Sequence, residues 1–461
     1  MRPTEAGPPG AGAPFPPFVV AVICALGVGC VMFDQTSLVV AAPTITDEFG
    51  AGISGLQWLT AMFPLVAAST MPLSGLLGRR WGARTTLRLG LGILVIGGLL
   101  AASAPSMEIL LATRVIQGAG AALVLPNAAT LLGGNVTDPR QRTRSIGPWM
   151  TASSSALLLG PLTSGLIAEH LGWRMTFLAN IPFALLAVVL LRRLHNTPRQ
   201  RAGRVDVAGL LLASATLALL AWSLITSGRG GADWALVAGG FALATLLAAV
   251  FAIVERHARD PLLDVELFGN SRVRMILVAS FAYNAAINGT AILISVFFQG
   301  HRGFSATAVG FFILVANSGM PLAGAIVNAV RPWLDNLQLM TAGLATLTLA
   351  FVALGLGSHL HPALLFLPLL GIGLGAGVLY FVDTNVVLEQ VRGPEAASAM
   401  AALSLMRQIG SVLGIAAMAS VGQLAVSAGL ASTGAPIAFL VSGAMVGAIT
   451  LEAARRLRAR R

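Results

Sequence analysis

Asp34 stands in the otherwise uncharged stretch CVMFDQTSLVVAAPTI (Cys30–Ile45), inside an apolar run long enough to cross a bilayer. Few other ionisable side chains lie well inside such runs: Arg114, Arg407 and, nearer the end of its run, Asp383. Unpaired charge at that depth costs about 2.5 kcal/mol or more, so each is a candidate functional group. A carboxylate held between a nearby cation, which favours its charge, and desolvation, which opposes it, can change protonation as a cavity opens and closes. Proton coupling is the chemistry these residue types offer. A static ion pair is the competing reading.

Depth brings two of them together. Asp34 lies 16 residues into a run that starts at 18, about 24 Å along a helix, and Arg114 lies 7 residues into the run that starts at 107, about 10 Å. If the runs enter a core of about 30 Å from opposite sides, the two levels differ by a few ångströms. The six histidines all fall in loops or at span ends, so any proton work is left to carboxylates. Asn284 and Asn288 share a helical face, where they can line a cavity or bond between helices. With Gln117, Asp383 and Arg407 they are the candidate lining of a substrate cavity. Asp383, close to a span end, is expected to be readily solvated. The nearby GIGLGAG (Gly371–Gly377) has no strand before it, so close helix packing is a better reading than a nucleotide loop.

The elements that must position these groups follow from composition. The chain is 56% hydrophobic and 10% charged, where soluble proteins carry about a quarter charged residues. A helix of about 20 apolar residues spans a bilayer. Segmentation on that length gives fourteen spans near 18–41, 54–77, 85–104, 107–133, 146–168, 174–191, 206–226, 233–254, 275–299, 306–330, 336–357, 362–388, 396–425 and 435–454. All 29 basic residues are arginines, and nearly all lie in alternate loops, on the side of the N-terminus. Only Arg174, Arg229 and Arg302 fall in the opposite loops. Basic loops face the cytoplasm, so both termini are expected inside, and the net charge of +11 needs no nucleic-acid partner.

MPLSG (Met71–Gly75) and MPLAG (Met320–Gly324) occupy matching places in the second and tenth spans, which suggests a duplicated six-span block. The expected organisation is a disordered cytoplasmic tail over 1–17, a six-helix bundle over 18–195, an inserted two-helix hairpin over 206–256, and a second six-helix bundle with a short basic tail over 273–461. Neither GxSxG, HExxH, a Walker A loop nor a Cys/His cluster is present. An enzyme, a metal site and direct ATP coupling are therefore not expected.

Six motifs in order resemble the fourteen-span drug:proton antiporter branch of the major facilitator superfamily, over nearly the whole chain past residue 17. FDQTSLVVAAP (Phe33–Pro43) looks like its first-span motif, and GLLGRRWGAR (Gly75–Arg84) like the loop after the second span. RVIQGAGAA (Arg114–Ala122), GPLTSG (Gly160–Gly165), WRMTFLANIP (Trp173–Pro182) and RQIGSVLGIA (Arg407–Ala416) are similar to later signatures. Arg79 stands where the loop pattern usually has an acid, and Ser164 replaces the first of a glycine pair. The resemblance implies an all-α membrane protein of the bacterial cell membrane, two six-helix bundles plus a hairpin, exporting small amphipathic compounds in the manner of methylenomycin-resistance exporters. It implies proton coupling by Asp34 and Arg114, and conformational roles for Gly75, Arg80, Gly82, Arg84, Gly160, Pro161 and Gly165. The proton motive force would replace any cofactor, with substrate, protons and lipid as partners of a monomer. The alternative is a facilitator-fold transporter of a specific metabolite or lipid.

Overall fold

The computed structural model describes residues 16–136, 139–197, 207–229, 232–257, 271–390, 394–427 and 433–458, and the described residues are almost entirely helical. In chain order the helices are α1 (Pro17–Glu48), α2 (Gly52–Trp81), α3 (Ala83–Ala102), α4 (Met107–Asn135), α5 (Pro139–His170), α6 (Trp173–Ala179), α7 (Ile181–Leu191) and α8 (Val207–Ser227). Then come α9 (Trp234–His257), α10 (Ser271–Val296), α11 (Ala306–Val330), α12 (Asn336–Gly357), α13 (Pro362–Gln390), α14 (Pro394–Ser427) and α15 (Gly434–Arg458). In hydrocarbon no water can pair with N–H and C=O groups, so long apolar segments must satisfy them internally, as helices do. Among the described residues, twelve helical spans are long and apolar enough to cross a membrane. A thirteenth, α2, is bent by 53° between Met71 and Leu73, at a proline that has no N–H to give. The expected tail over 1–17 lies outside the described residues, apart from its last two.

The span expected at 174–191 is one of the twelve, Trp173–Leu191, with a one-residue interruption at Asn180 between α6 and α7, two residues before Pro182, which has no N–H to give. In α5, where Gly160-Pro161 invites a bend, the helix runs on without interruption.

Packing repeats along the chain. In a first group α1 lies on α5, α2 and α3 lie on α4, and α3 also meets α7. In a second group α10 lies on α14, α11 and α12 lie on α13, and α12 also meets α15. The MPLSG and MPLAG sequences thus fall on α2 and α11, which take equivalent places. Each group has its own apolar core: Leu87, Leu91, Val124 and Leu131 are among the buried residues of the first, Leu344, Phe351, Leu369 and Phe439 of the second. The groups meet where α5 lies on α11 and α2 on α14, and α8, paired with α9, packs against that second seam.

One end of the bundle is sealed. Toward the α1–α2, α5–α6 and α10–α11 turns, Gln57 donates to the Ala416 carbonyl (2.9 Å) and Ser420 Oγ (3.1 Å), and Gln299 donates to the Val40 carbonyl (3.0 Å). The Thr307 N–H donates to Glu169 (3.1 Å), and Asn317 donates to the Leu157 carbonyl nearer the middle (2.9 Å). A Cβ at Gly310 would strike the Pro161 carbonyl and one at Gly165 the Ala306 carbonyl, so these glycines let α5 and α11 touch backbone to backbone. At the opposite end Arg79, Arg80 and Trp81 are exposed, and a Cβ on Gly75 would meet nothing within 4 Å.

Candidate functional site: two buried ion pairs

Asp34 on α1 and Arg114 on α4 are 5% and 1% exposed, and the guanidinium Nη1 lies 2.8 Å from Asp34 Oδ2. Gln117 closes a triangle: its Oε1 accepts from Arg114 Nη1 at 2.8 Å and its Nε2 donates to Asp34 Oδ1 at 3.1 Å. Arg114 and Gln117 are three residues apart, so one face of α4 carries both toward α1. The guanidinium carbon sits 4.6 Å from the centre of the Phe63 ring on α2. Burial of the pair is tolerated because charge meets charge and Gln117 bonds both partners, while the buried Arg114 Nε has no hydrogen-bond partner among the described residues.

The neighbouring helices are held by small residues. Gly160 gives α5 its close approach to α1, since a Cβ would run into Thr36. Ser164, in place of a glycine, donates to the Ser37 carbonyl at 2.6 Å and adds a bond between the same helices. Gly118 and Gly120 bring α4 against α2 and α3, contacts inside the first group, whereas Gly165 lies between the groups.

A second pair lies in the other group. Asp383 on α13 is 4% exposed and pairs with Arg407 on α14. It also accepts from the Ser280 hydroxyl (2.7 Å) and the Tyr283 hydroxyl (2.9 Å), both on α10. Arg407 donates to Thr384 Oγ1 (3.0 Å), and its guanidinium carbon lies 3.7 Å from the centre of the Tyr380 ring. The expectation of ready solvation at Asp383 is overturned: α10 and α14 enclose it on either side. Asn284 and Asn288 are also corrected as interhelical bonds, because each donates to the carbonyl four residues earlier on α10 itself. GIGLGAG does serve packing, with Gly373 lodged against the Ala316 carbonyl of α11.

The loop-motif residues are set apart from both pairs. Gly82 has φ +88°, a conformation open to glycine, and Arg84 Nη1 donates to the Leu194 carbonyl at 2.6 Å. Trp173 and Arg174 bind Glu48 at 2.6 Å and 2.9 Å, fastening α6 to the end of α1. Beyond the end of the fifth apolar run, hydrogen bonding from Thr307, whose N–H donates to it at 3.1 Å, and from Ser305 holds the Glu169 carboxyl below the usual carboxylate range. Sequence reasoning did not single out Ser280, Tyr283, Glu169 or Asn180. The Ser280/Tyr283/Asn284 spacing on one helical face was the available signal for the first two.

The family described as the Major Facilitator Superfamily matches residues 24–415. The chain belongs to the major facilitator superfamily. It is 31% identical over 425 residues to the methylenomycin A resistance protein of Streptomyces coelicolor, covering 91% of this chain and 89% of that one. It is 30% identical over 417 residues to the drug efflux pump JefA of Mycobacterium tuberculosis, covering 88% and 81%. Among solved structures, a D-xylose–proton symporter superposes with TM-score 0.70 at 15% identity, over 95% of this chain and 97% of that one. The human organic anion transporter MFSD10 does so with TM-score 0.66 at 18% identity, over 95% and 99%. These structural likenesses are of fold, and they agree with the superfamily's architecture. The protein is a multi-pass membrane protein of a transporter superfamily.

Proposed function

We propose that this protein is a proton-coupled antiporter that exports small amphipathic compounds, antibiotics or drugs, across the bacterial cytoplasmic membrane. The observation that carries the reading is the buried triangle of Asp34, Arg114 and Gln117, in a chain whose relatives are named resistance proteins and efflux pumps. The proposed architecture has fourteen spans, with α6 and α7 forming one: two six-helix bundles over 18–195 and 273–461 and a hairpin over 206–256. Both termini are cytoplasmic in this reading, because the arginine-rich loops gather at that end. The sealed end is then the outer one, and the conformation faces inward.

Alternating access gives the pair its work. In the inward-facing state the ionised Asp34 holds Arg114 and the substrate site is competent. Protonation from outside weakens the pair and releases substrate, and deprotonation toward the cytoplasm restores it. A membrane potential of about 100 mV supplies roughly 2.3 kcal/mol per charge. At about 1.4 kcal/mol per tenfold, one net charge sustains a gradient of about fortyfold. Asn284, Asn288, Asp383 and Arg407 line or frame the proposed cavity, and no cofactor is required.

Growth of an efflux-deficient bacterial host on a panel of antibiotics and cationic dyes tests the reading, with the wild type compared against Asp34→Asn at equal membrane expression. Resistance lost in the variant is expected. Resistance that survives moves coupling away from Asp34. Absence of any resistance favours a narrow metabolite or lipid transporter.

A further inference from the structure

Asn180 lies between α6 and α7, and its side-chain amide donates to the Cys30 carbonyl at 2.7 Å, one turn before Asp34 on α1. Beside it is a cavity of about 10 Å³ bordered by Asp34, Gln117 and Asn180 and walled by apolar Val95, Ile181 and Ala184. One water needs about that volume and two to four polar partners. Here a carboxylate and two amides face one space. An apolar pocket of the same size would stay dry, whereas this one offers donors and acceptors on three sides.

The electrostatic setting is simple. From α4 Arg114 and Gln117 face Asp34, and from α2 the Phe63 ring backs the guanidinium. On α1 the nearest titratable group is the Cys30 thiol, and α3 and α7 contribute only apolar walls to the cavity. The Asn180 side chain supplies the third polar wall. A leucine here would both fill the space and remove the amide that donates to the Cys30 carbonyl.

We infer that this cavity is a one-water seat through which the proton reaches Asp34, and that Asn180 is the positioning residue that builds it. The inference rests on the proton-coupling reading of Asp34. A proton arriving on the seated water as hydronium passes to Asp34: an O–H bond forms on the carboxylate, one O–H bond of the hydronium breaks, and neutral water remains. Arg114 keeps its bond to Gln117 Oε1 meanwhile, so the guanidinium is never left without a partner. The reverse transfer discharges Asp34.

The test uses the full chain reconstituted in phosphatidylethanolamine/phosphatidylglycerol vesicles, with infrared detection of the protonated Asp34 carbonyl stretch after a rapid downward pH jump. Asp34→Asn identifies the band by removing it. Asn180→Leu and Ala184→Val fill the seat, and Asn180→Ser keeps a hydroxyl and leaves room. The fillers are expected to slow the rise of the band by about a hundredfold, the lower end of what a positioned proton-transfer group contributes. Asn180→Ser is expected to stay near the wild-type rate. Ala184→Val touches no polar group, so it keeps the test sound where Asn180→Leu fails to fold. A wild-type rate in Ala184→Val overturns the seat. Equal slowing in Asn180→Ser and Asn180→Leu also overturns it, since the lost bond to α1 would then be the cause. A wild-type spectrum identical to that of Asp34→Asn at every pH overturns the proton reading of Asp34 itself, and the seat with it.

Discussion

The Tyr283 hydroxyl donates to Asp383 at 2.9 Å, across the interface between α10 and α13. Ser280 adds a second donor from α10 and Arg407 a third from α14, so donors from two helices surround this carboxylate. Asp34 has Arg114 and Gln117 as donors and borders a cavity. The two acids thus sit in different surroundings: Asp34 borders a cavity, and Asp383 is enclosed by donors from two other helices.

Asp383 is therefore expected to matter for stability before it matters for coupling. Asp383→Asn or Arg407→Gln alone leaves a buried charge without its partner, a loss of about 3–5 kcal/mol. The double substitution removes both charges and is expected to recover much of that loss, a clear departure from additivity. Thermal unfolding of the four proteins in detergent checks this. Equal, additive losses would show that the pair does not act as a unit.

Glu169 gives the sealed end a pH dependence. Its carboxyl is held low by Thr307 and Ser305 at the start of α11, and it belongs to the opposite group of helices. The depressed value belongs to the sealed state, so the contribution to closure is present above the ordinary carboxylate range and is lost as pH falls through the lowered value. Acidification of that side is expected to loosen the α5–α11 contact. Glu169→Gln is expected to flatten the response, read as the distance between spin labels placed at the ends of α5 and α11 over pH 3 to 7.

Ser420 ties three helices at the other seam. It donates to the Leu224 carbonyl of α8 at 2.6 Å and accepts from Gln57 of α2 at 3.1 Å. Helix α8 is thereby bonded to the seam between α2 and α14. Each such hydrogen bond is worth about 0.5–1.5 kcal/mol net. Ser420→Ala should raise the open population by up to about tenfold. Labelling of a cysteine introduced at Ser54 by a membrane-impermeant maleimide follows that population, and unchanged labelling would show that the seam does not depend on Ser420.

What could be read from residues alone was governed by distance along the chain. Asp34 and Arg114 were paired by counting rise per residue from two span ends, which works because helices in a bilayer share a ruler. The same ruler misled at Asp383. Closeness to a span end suggested water, but α13 extends to Gln390, and Ser280, Tyr283 and Arg407 arrive from two other helices. Asn284 and Asn288 were legible as polar and co-facial but not as bonded within α10, since a helical asparagine chooses between its own backbone and a neighbour only after packing. Asn180 was not legible as a bonded residue at all, since its partner, the Cys30 carbonyl, lies 150 residues earlier in the chain.

The start of α3 offers the most local of these tests. Its N-cap, Gly82, has no side chain, so the first N–H groups of the helix have no cap of their own. Asn196 and Thr197, beyond the end of α7, supply one: Asn196 Oδ1 accepts from the Arg84 N–H at 2.9 Å and Thr197 Oγ1 from the Ala83 N–H at 2.8 Å. Asn196 also donates to the Trp81 carbonyl at 2.9 Å, closing the turn from both sides. Loss of a capping side chain costs about 0.5–2 kcal/mol, so Asn196→Ala should lower thermal stability by that order, and Asn196→Asp should keep the acceptor and most of the stability. Hydrogen exchange supplies the site-specific readout: the amides of Ala83 to Thr86 should exchange faster in Asn196→Ala, while those of α4 stay protected. Uniform acceleration through the first group would show instead that Asn196 supports the whole bundle and not the start of one helix.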